Sequence, residues 1–101
     1  MRQIINGKLY DTDTADECGY WYYGRPGDFF YEDETLYRKA TGEFFIAGKG
    51  GPKTKYSIQI ETNCWSGGKR IIPLTVDEAK VWVEEHAEVD TYIELFGKPE
   101  E

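Results

Sequence analysis

The chain has 101 residues, of which 40% are hydrophobic and 16% aromatic, enough to fill one modest core but not two. We therefore predict a single domain over residues 1–101. The formal charge of -7 argues against direct binding to nucleic acid or to an anionic membrane, since both select clustered lysine and arginine. Because no apolar run reaches the length of a membrane span and the N-terminus lacks a signal-peptide pattern, we predict a cytoplasmic protein.

The charged residues are segregated along the chain. Residues 1–37 sum to -5, residues 38–70 to +5 and residues 71–101 to -7. Carboxylates at both ends of a chain repel nucleic acid and attract basic partners, such as a protein groove that itself binds nucleic acid. This interpretation holds only if the fold keeps the basic centre apart from the acidic ends, because otherwise the charges pair internally.

The N-terminal segment predicts a hairpin followed by a helix. Asn6-Gly7 lies between apolar residues, which is the strongest short signal for a tight hairpin turn. Further on, Asp11 or Asp13 is placed to cap a short helix, and Gly19 is placed to end it. We therefore expect a short N-terminal helix before the main strands begin.

The next part of the chain predicts paired strands. Residues 20–31 are rich in aromatic side chains and are interrupted by Gly24, Pro26 and Gly27, which predicts two strands joined by a loop. A hairpin follows, because the segment Ala40-Thr41-Gly42 lies between two strand-like runs and ends in a glycine suited to a bulged type I turn. Such hairpins build an antiparallel sheet.

Two further strands are predicted before the C-terminal region. Polar and apolar residues alternate over 55–62, which indicates a strand with one wet face and hence a sheet open to solvent on one side. Gly67-Gly68 predicts a turn into a short strand at 70–74. Pro73 confines that strand to a sheet edge or a strand end, because proline donates no ladder hydrogen bond.

The C-terminal region predicts two helices. Thr75 and Glu78 match a capping box, and apolar residues then recur on one helical face as far as His86. A second amphipathic segment begins at Val89 and ends at Gly97. The predicted fold is therefore α+β: a small antiparallel sheet of about four to five strands, a short N-terminal helix, and two C-terminal helices packed on one face.

The residues that could support catalysis or bind a metal are few. A structural zinc site takes about four ligands, whereas Cys18, Cys64 and His86 are isolated in the sequence, so we predict no metal and no cofactor. A cytosolic protein would keep both thiols reduced. His86 lies on the apolar helix face, which is typical of a histidine at the edge of a core. Since no nucleophile is spaced to work with it, we predict that the protein is not an enzyme.

Two glycine-rich basic loops, at 48–55 and 65–70, offer an alternative function. Their glycines let backbone amides converge on an anion, and their cations are Lys49, Lys53, Lys55, Lys69 and Arg70. The spacing of a nucleotide-binding P-loop is absent. The alternative is a small, non-enzymatic accessory module that binds an anion or nucleotide, and it requires the five cations to converge. The plainer interpretation is two solvated loops whose lysines pair with the chain's own carboxylates.

A mixed aromatic and acidic surface is the leading candidate site. Alternate residues of a strand point to opposite faces, so the aromatic run cannot be buried entirely, although core packing remains the alternative for any single ring. Tyrosine and tryptophan are enriched at binding hot spots, and nearby carboxylates would favour a basic partner. The predicted partner-binding residues are Tyr20, Trp21, Tyr22, Asp28, Glu32, Asp33, Glu34, Glu84, Glu85 and Glu88.

Five segments carry a family resemblance: INGKLYDTDTA at 5–15, DETLYRKATGEFF at 33–45, KYS at 55–57, WSGG at 65–68 and IIPLTVDEAKVWVEEH at 71–86. Together they span nearly the whole chain and resemble a family of small proteins of phages and bacterial mobile elements, with anti-CRISPR members. The resemblance implies a counter-defence protein that binds and inhibits a bacterial Cas effector complex in the host cytoplasm. It assigns no role to any single residue. With the acidic charge, it favours occupation of a basic nucleic-acid-binding surface.

Overall fold

The computed structural model describes residues 1–101, which form eight strands and two helices. The strands are β1 Arg2–Ile5, β2 Lys8–Asp11, β3 Asp16–Tyr23, β4 Glu32–Arg38, β5 Phe44–Gly50, β6 Ile58–Glu61, β7 Cys64–Ser66 and β8 Gly68–Leu74. The helices are α1 Val76–His86 and α2 Val89–Phe96. Every strand pair is antiparallel, and the α+β class is confirmed. Neither helix is long and apolar enough to cross a membrane.

The eight strands form three sheets, where the sequence predicted one. The central sheet has four strands in the order β3-β4-β5-β8, whereas β1-β2 and β6-β7 are separate hairpins. One surface of the central sheet, here called the helix-side face, presents Leu36, Phe44 and Ile46, which pack against Trp82 and Val83 of α1. The prediction that the C-terminal helices pack on one face of a sheet is thus confirmed.

The opposite surface of the central sheet, here called the hairpin-side face, is partly covered as well. The β1-β2 hairpin places Tyr10 edge-on against Phe45, with ring centroids 5.4 Å apart, and Ile71 completes this second small core. Tyr37 stacks on the same Phe45 ring at 5.3 Å. The expectation of a sheet open to solvent on one side is therefore wrong for this part of the face.

The predicted N-terminal helix is absent. The Asp11 carboxylate accepts a hydrogen bond from the Asp13 backbone N–H at 2.9 Å, and the Ala15 N–H donates to the Asp11 carbonyl at 3.2 Å. These bonds form a compact turn, after which the chain enters β3 at Asp16. A short polar side chain that caps a helix also closes such a turn, and the strand pairing of β3 with β4 decides between the two.

The strand predicted over 55–62 forms, but only as the four residues of β6, which pair with β7 away from the central sheet. Its apolar residues Ile58 and Ile60 are 51% and 58% exposed. Gly67 links β7 to β8, which lie in different sheets, so the turn predicted at Gly67-Gly68 closes no hairpin. Pro73 does lie on an edge strand, as its chemistry requires.

Three other local turn and cap signals are confirmed. Asn6 and Gly7 both have positive φ, at 52° and 78°, in the turn between β1 and β2, and Gly42 has φ 92° between β4 and β5. At the start of α1, the Thr75 hydroxyl accepts from the Glu78 N–H at 3.1 Å, and the Glu78 carboxylate accepts from the Thr75 N–H at 2.9 Å. These are short-range interactions, which is why the sequence predicts them.

Replacing Thr75 with alanine is expected to lower the free energy of unfolding by about 1 kcal/mol, because the Glu78 N–H loses its acceptor at the helix end. Urea denaturation measures the change. Thr62→Ala serves as the control, since Thr62 is exposed in the β6-β7 turn and its side chain makes no hydrogen bond, so its effect should stay below about 0.5 kcal/mol. Equal losses in the two variants would contradict a capping role.

Candidate functional site

A buried carboxylate lies in the helix-side face. Glu34 of β4 is only 1% exposed, and both of its oxygens are hydrogen-bonded. Oε1 accepts from the Trp82 indole N–H at 3.1 Å, and Oε2 accepts from the Tyr56 hydroxyl at 2.5 Å and from Lys55 Nζ at 2.7 Å. Full pairing is what permits a carboxylate to be buried. The four residues tie β4, α1 and the segment before β6 together, and we call them the Glu34 network.

Glycines make room for the Tyr56 ring. Gly48 lies directly opposite Glu34 in the β4-β5 register, and a Cβ atom there would overlap the Tyr56 hydroxyl. A Cβ at Gly50 would meet the Tyr56 ring at 3.0 Å, and one at Gly68 would meet the Tyr56 carbonyl oxygen at 2.7 Å. Part of the glycine-rich sequence that predicted a solvated loop therefore provides the space in which Tyr56 is buried.

The Glu34 network determines the protonation states of Glu34 and Tyr56. Burial acts to raise the pKa of Glu34, but the hydrogen bonds from Lys55, Tyr56 and Trp82 outweigh it, so the pKa lies below the ordinary 4.5. Burial, together with the hydrogen bond to that carboxylate, raises the pKa of the Tyr56 hydroxyl. At neutral pH the network therefore contains an ionised glutamate that accepts from a neutral tyrosine.

His86 lies at the edge of the core, where it connects α1 to the edge strand β3. Its ring stacks on Trp21 with centroids 4.0 Å apart and meets the edge of Trp82 at 5.2 Å. Its Nε2 is 3.7 Å from the Glu85 carboxylate. No cysteine hydrogen-bonds to it: the Cys18 thiol contacts the Asp16 carbonyl instead, and burial raises the pKa of that thiol.

A cleft of about 410 Å³ opens next to the Glu34 network. Lys55, Trp82 and His86 contribute to its walls, and its carboxylates are Glu34, Asp77, Glu78 and Glu85. Because Glu34 is already paired with Lys55, the remaining carboxylates Asp77, Glu78 and Glu85 make the cleft suited to a basic group from outside rather than to an anion. No three of the chain's histidine, cysteine, aspartate and glutamate side chains are grouped to hold a metal ion.

The exposed side of α1 and the start of α2 carry carboxylates that pair with no lysine or arginine. Asp77, Glu84, Glu85 and Glu88 are exposed, and none lies within 4.0 Å of a lysine or arginine nitrogen. We call these four residues the acidic helix surface. Glu84 and Glu88 also line a cavity of about 310 Å³ between α1 and α2. Lys80 of α1 lies over the Phe96 ring and pairs with none of the four, so these carboxylates have no internal ion pair with a lysine or arginine.

Exposed tyrosines lie on the hairpin-side face, around Asp33. The Asp33 carboxylate accepts from the Tyr20 hydroxyl at 2.7 Å and from the Tyr31 hydroxyl at 3.2 Å. The bond to Asp33 raises the pKa of Tyr20 to about 12. Tyr22 is the direct β3 neighbour of Asp33, and the Tyr20 and Tyr22 rings are 54% and 62% exposed. Three of the predicted partner-binding residues, Tyr20, Tyr22 and Asp33, thus lie next to one another on this face.

The structure does not bring all the predicted partner-binding residues together. Tyr20, Tyr22 and Asp33 lie on the hairpin-side face; Trp21, Glu32, Glu84, Glu85 and Glu88 lie on the helix side; Asp28 accepts from the Arg25 N–H in the β3-β4 loop. Glu34 is buried and presents no free oxygen to a partner. The amino-acid composition could not reveal this burial. Gly48, which lies opposite Glu34, is a signal of it, but the signal can be recognised only once the β4-β5 register is known.

The five cations of the basic loops do not converge. Lys55 pairs with Glu34, and Lys53 lies 5.6 Å from the Phe29 ring centroid. Lys49 and Lys69 are cross-strand neighbours on the hairpin-side face, whereas Arg70 follows Lys69 in β8 and projects to the other face. The geometry that the anion-binding alternative requires is not present.

Comparison of the chain with protein-family models, with curated proteins and with solved structures gives no match.

Proposed function

We propose that the chain is a counter-defence protein that binds and inhibits a bacterial Cas effector complex in the host cytoplasm by occupying a basic nucleic-acid-binding surface. The acidic helix surface is the observation that supports this most directly. Its four carboxylates point to solvent without a lysine or arginine partner, in a chain that has 12 such cations. A surface of this sign is complementary to a groove that binds phosphates.

The distribution of the internal ion pairs gives further support. Lys55 of the basic centre pairs with Glu34 and Glu32 of the acidic N-terminal part, whereas Lys8 and Lys39 both pair with Glu43, so the internal ion pairs lie within the sheet region. None of these lysines forms an ion pair with a carboxylate of α1. The negative charge of the C-terminal region is therefore available to a partner rather than consumed by folding.

The proposed mechanism combines two contributions. Exposed carboxylates accelerate encounter with a basic groove and select its orientation, and this contribution weakens as salt is added. Exposed apolar side chains next to these carboxylates, such as Val81 and Val89, then supply contact area that can be desolvated against the partner. Nucleic acid competes for the same basic groove and is excluded while the chain is bound.

Charge reversal tests this proposal. In Glu84→Lys/Glu85→Lys/Glu88→Lys, association with the effector complex at low salt is expected to slow by about tenfold or more, because steering toward the basic groove is lost. The assay uses purified guide-loaded effector complexes of several types and measures chain binding and target-DNA binding in competition. For the effector that the native chain inhibits, added salt should slow native association much more than that of the variant.

A variant with the same change in net charge provides the control. Glu61→Lys/Glu100→Lys/Glu101→Lys reverses three exposed carboxylates that lie outside α1, so inhibition should be largely retained. Equal loss of inhibition in both triple variants would show that inhibition depends on the net charge of the chain and not on the acidic helix surface. If no effector in the panel lost DNA binding in the presence of the native chain, the proposed function would be wrong.

A further inference from the structure

The edge strand β3 has an unused hydrogen-bonding side. It is eight residues long and pairs only with β4, so its other edge faces outward. None of the backbone hydrogen bonds made outside the regular helices and strands involves a β3 residue. An exposed row of backbone donors and acceptors is a template for another strand.

The two edges of the central sheet differ in how they are protected. The β8 edge carries Lys69, Arg70 and Pro73, which are residues that discourage strand pairing. The β3 residues 19–23 contain no charge and no proline, and Tyr20, Tyr22 and Tyr23 are each more than half exposed. Of the two sheet edges, only that of β3 therefore has a composition that favours pairing with another strand.

We propose that β3 pairs with β3 of a second copy of this chain, antiparallel and related by a two-fold axis at Trp21. The two central sheets then form one continuous sheet of eight strands. The interface is isologous, because the same five residues are contributed by each copy. This association is independent of the proposed function and could be present or absent whatever the partner of the acidic helix surface is.

The register follows from the side chains. Centring the pair on Trp21 places Tyr20 of one copy opposite Tyr22 of the other, on the hairpin-side face, and aromatic cross-strand pairs stabilise antiparallel sheets. It also places Gly19, which lies against the Trp82 ring of its own copy, opposite Tyr23 of the second copy. Arg25 of one copy comes to the end of the strand where Glu17 of the other lies, which matches opposite charges.

The pairing determines how the second copy is oriented. Directly opposed residues of paired strands share a face, so both helix-side faces lie on the same side of the continuous sheet. Both acidic helix surfaces remain uncovered there. The dimer would thus present two equivalent acidic surfaces in a fixed arrangement.

The first test is the mass in solution. Sedimentation velocity on the native chain is expected to show a concentration-dependent shift from one to two chains, and Tyr20→Lys/Tyr22→Lys should remain monomeric because lysines would then oppose each other across the axis. Ile58→Lys/Ile60→Lys, which adds the same charges at two exposed positions of β6, should dimerise like the native chain. Thermal unfolding checks that both variants are folded. A native chain that stays monomeric up to hundreds of micromolar would overturn the proposal, as would a dimer lost only in the β6 variant.

A cross-linking experiment tests the register. In a Cys18→Ser/Cys64→Ser background, Tyr20→Cys and Tyr22→Cys chains are oxidised separately and as a mixture. The mixture should form a disulfide-linked pair, because directly opposed strand residues lie within disulfide range, whereas either chain alone should form little. Efficient linking of one variant with itself, or no linking in the mixture, would contradict pairing about Trp21.

Discussion

Replacing Glu34 with alanine is expected to lower the free energy of unfolding by about 3 kcal/mol. The substitution leaves the Trp82 indole N–H and the Tyr56 hydroxyl without their acceptor in the protein interior. Lys55 loses its 2.7 Å partner too, but its side chain is 47% exposed and can turn to water. Urea denaturation followed by tryptophan fluorescence measures the loss.

Glu32→Ala is the matched control for this prediction. Glu32 is also on β4 and belongs to the same face, but its carboxylate is 3.8 Å from Lys55 and makes no hydrogen bond within the interior. Its removal should cost less than about 1 kcal/mol. A loss in Glu32→Ala as large as that in Glu34→Ala would mean that the effect comes from general charge rather than from the Glu34 network.

The Glu34 effect should also depend on pH. The hydrogen-bonded carboxylate has a folded-state pKa below its ordinary 4.5, so its contribution to stability is complete above that value and is lost as the pH falls through the folded-state pKa. The difference in unfolding free energy between the native chain and Glu34→Gln should therefore be largest near neutral pH and should shrink in acid. A difference that grew on acidification would contradict the assignment.

Replacing Gly48 with alanine is expected to destabilise the protein by about 3 kcal/mol. The new methyl group would overlap the hydroxyl end of Tyr56, and that ring cannot move aside without breaking its hydrogen bond to Glu34. Alanine has a higher intrinsic strand propensity than glycine, so local preference alone predicts the opposite sign. The change is measured as a shift of the urea midpoint, with the m-value (the slope of unfolding free energy against urea concentration) unchanged.

A double-mutant cycle isolates the cause of the Gly48 effect. In a Tyr56→Ala background the methyl group has space, so Gly48→Ala should cost little there even though Tyr56→Ala is itself destabilising. If the folded fraction of Tyr56→Ala is too small to measure, the cycle is run with a stabilising osmolyte, which favours the folded state of every variant. Additive losses would show that the strain at Gly48 does not involve Tyr56.

Local features of the fold were predictable because their determinants are close in sequence. The Asn6-Gly7 turn, the hairpin ending in Gly42 and the capping box of Thr75 each depend on residues within a few positions of one another. The N-terminal helix was predicted wrongly for the same reason. Asp11 is equally able to cap a helix or close a turn, and the pairing of β3 with the distant strand β4 decides the outcome.

The candidate surfaces were predictable only in part. That some rings of the 20–23 run would be exposed follows from strand alternation, and Tyr20 and Tyr22 are indeed exposed. Which carboxylates face solvent did not follow, because Glu32, Asp33 and Glu34 are consecutive acids with different environments. Glu34 is buried since its register partner is Gly48, and that partner is 14 positions away in the sequence.

The sequence by itself determined the segregation of charge, the α+β class and the start of each C-terminal helix, since these depend on composition and on short-range patterns. Only the tertiary structure decided which charges remain free. It directed Lys55 to the buried Glu34 and left the carboxylates of α1 without cations, because strand register and helix packing bring together residues that are distant in sequence. The basic centre is therefore partly paired within the fold, and the acidic helix is the surface left for a partner.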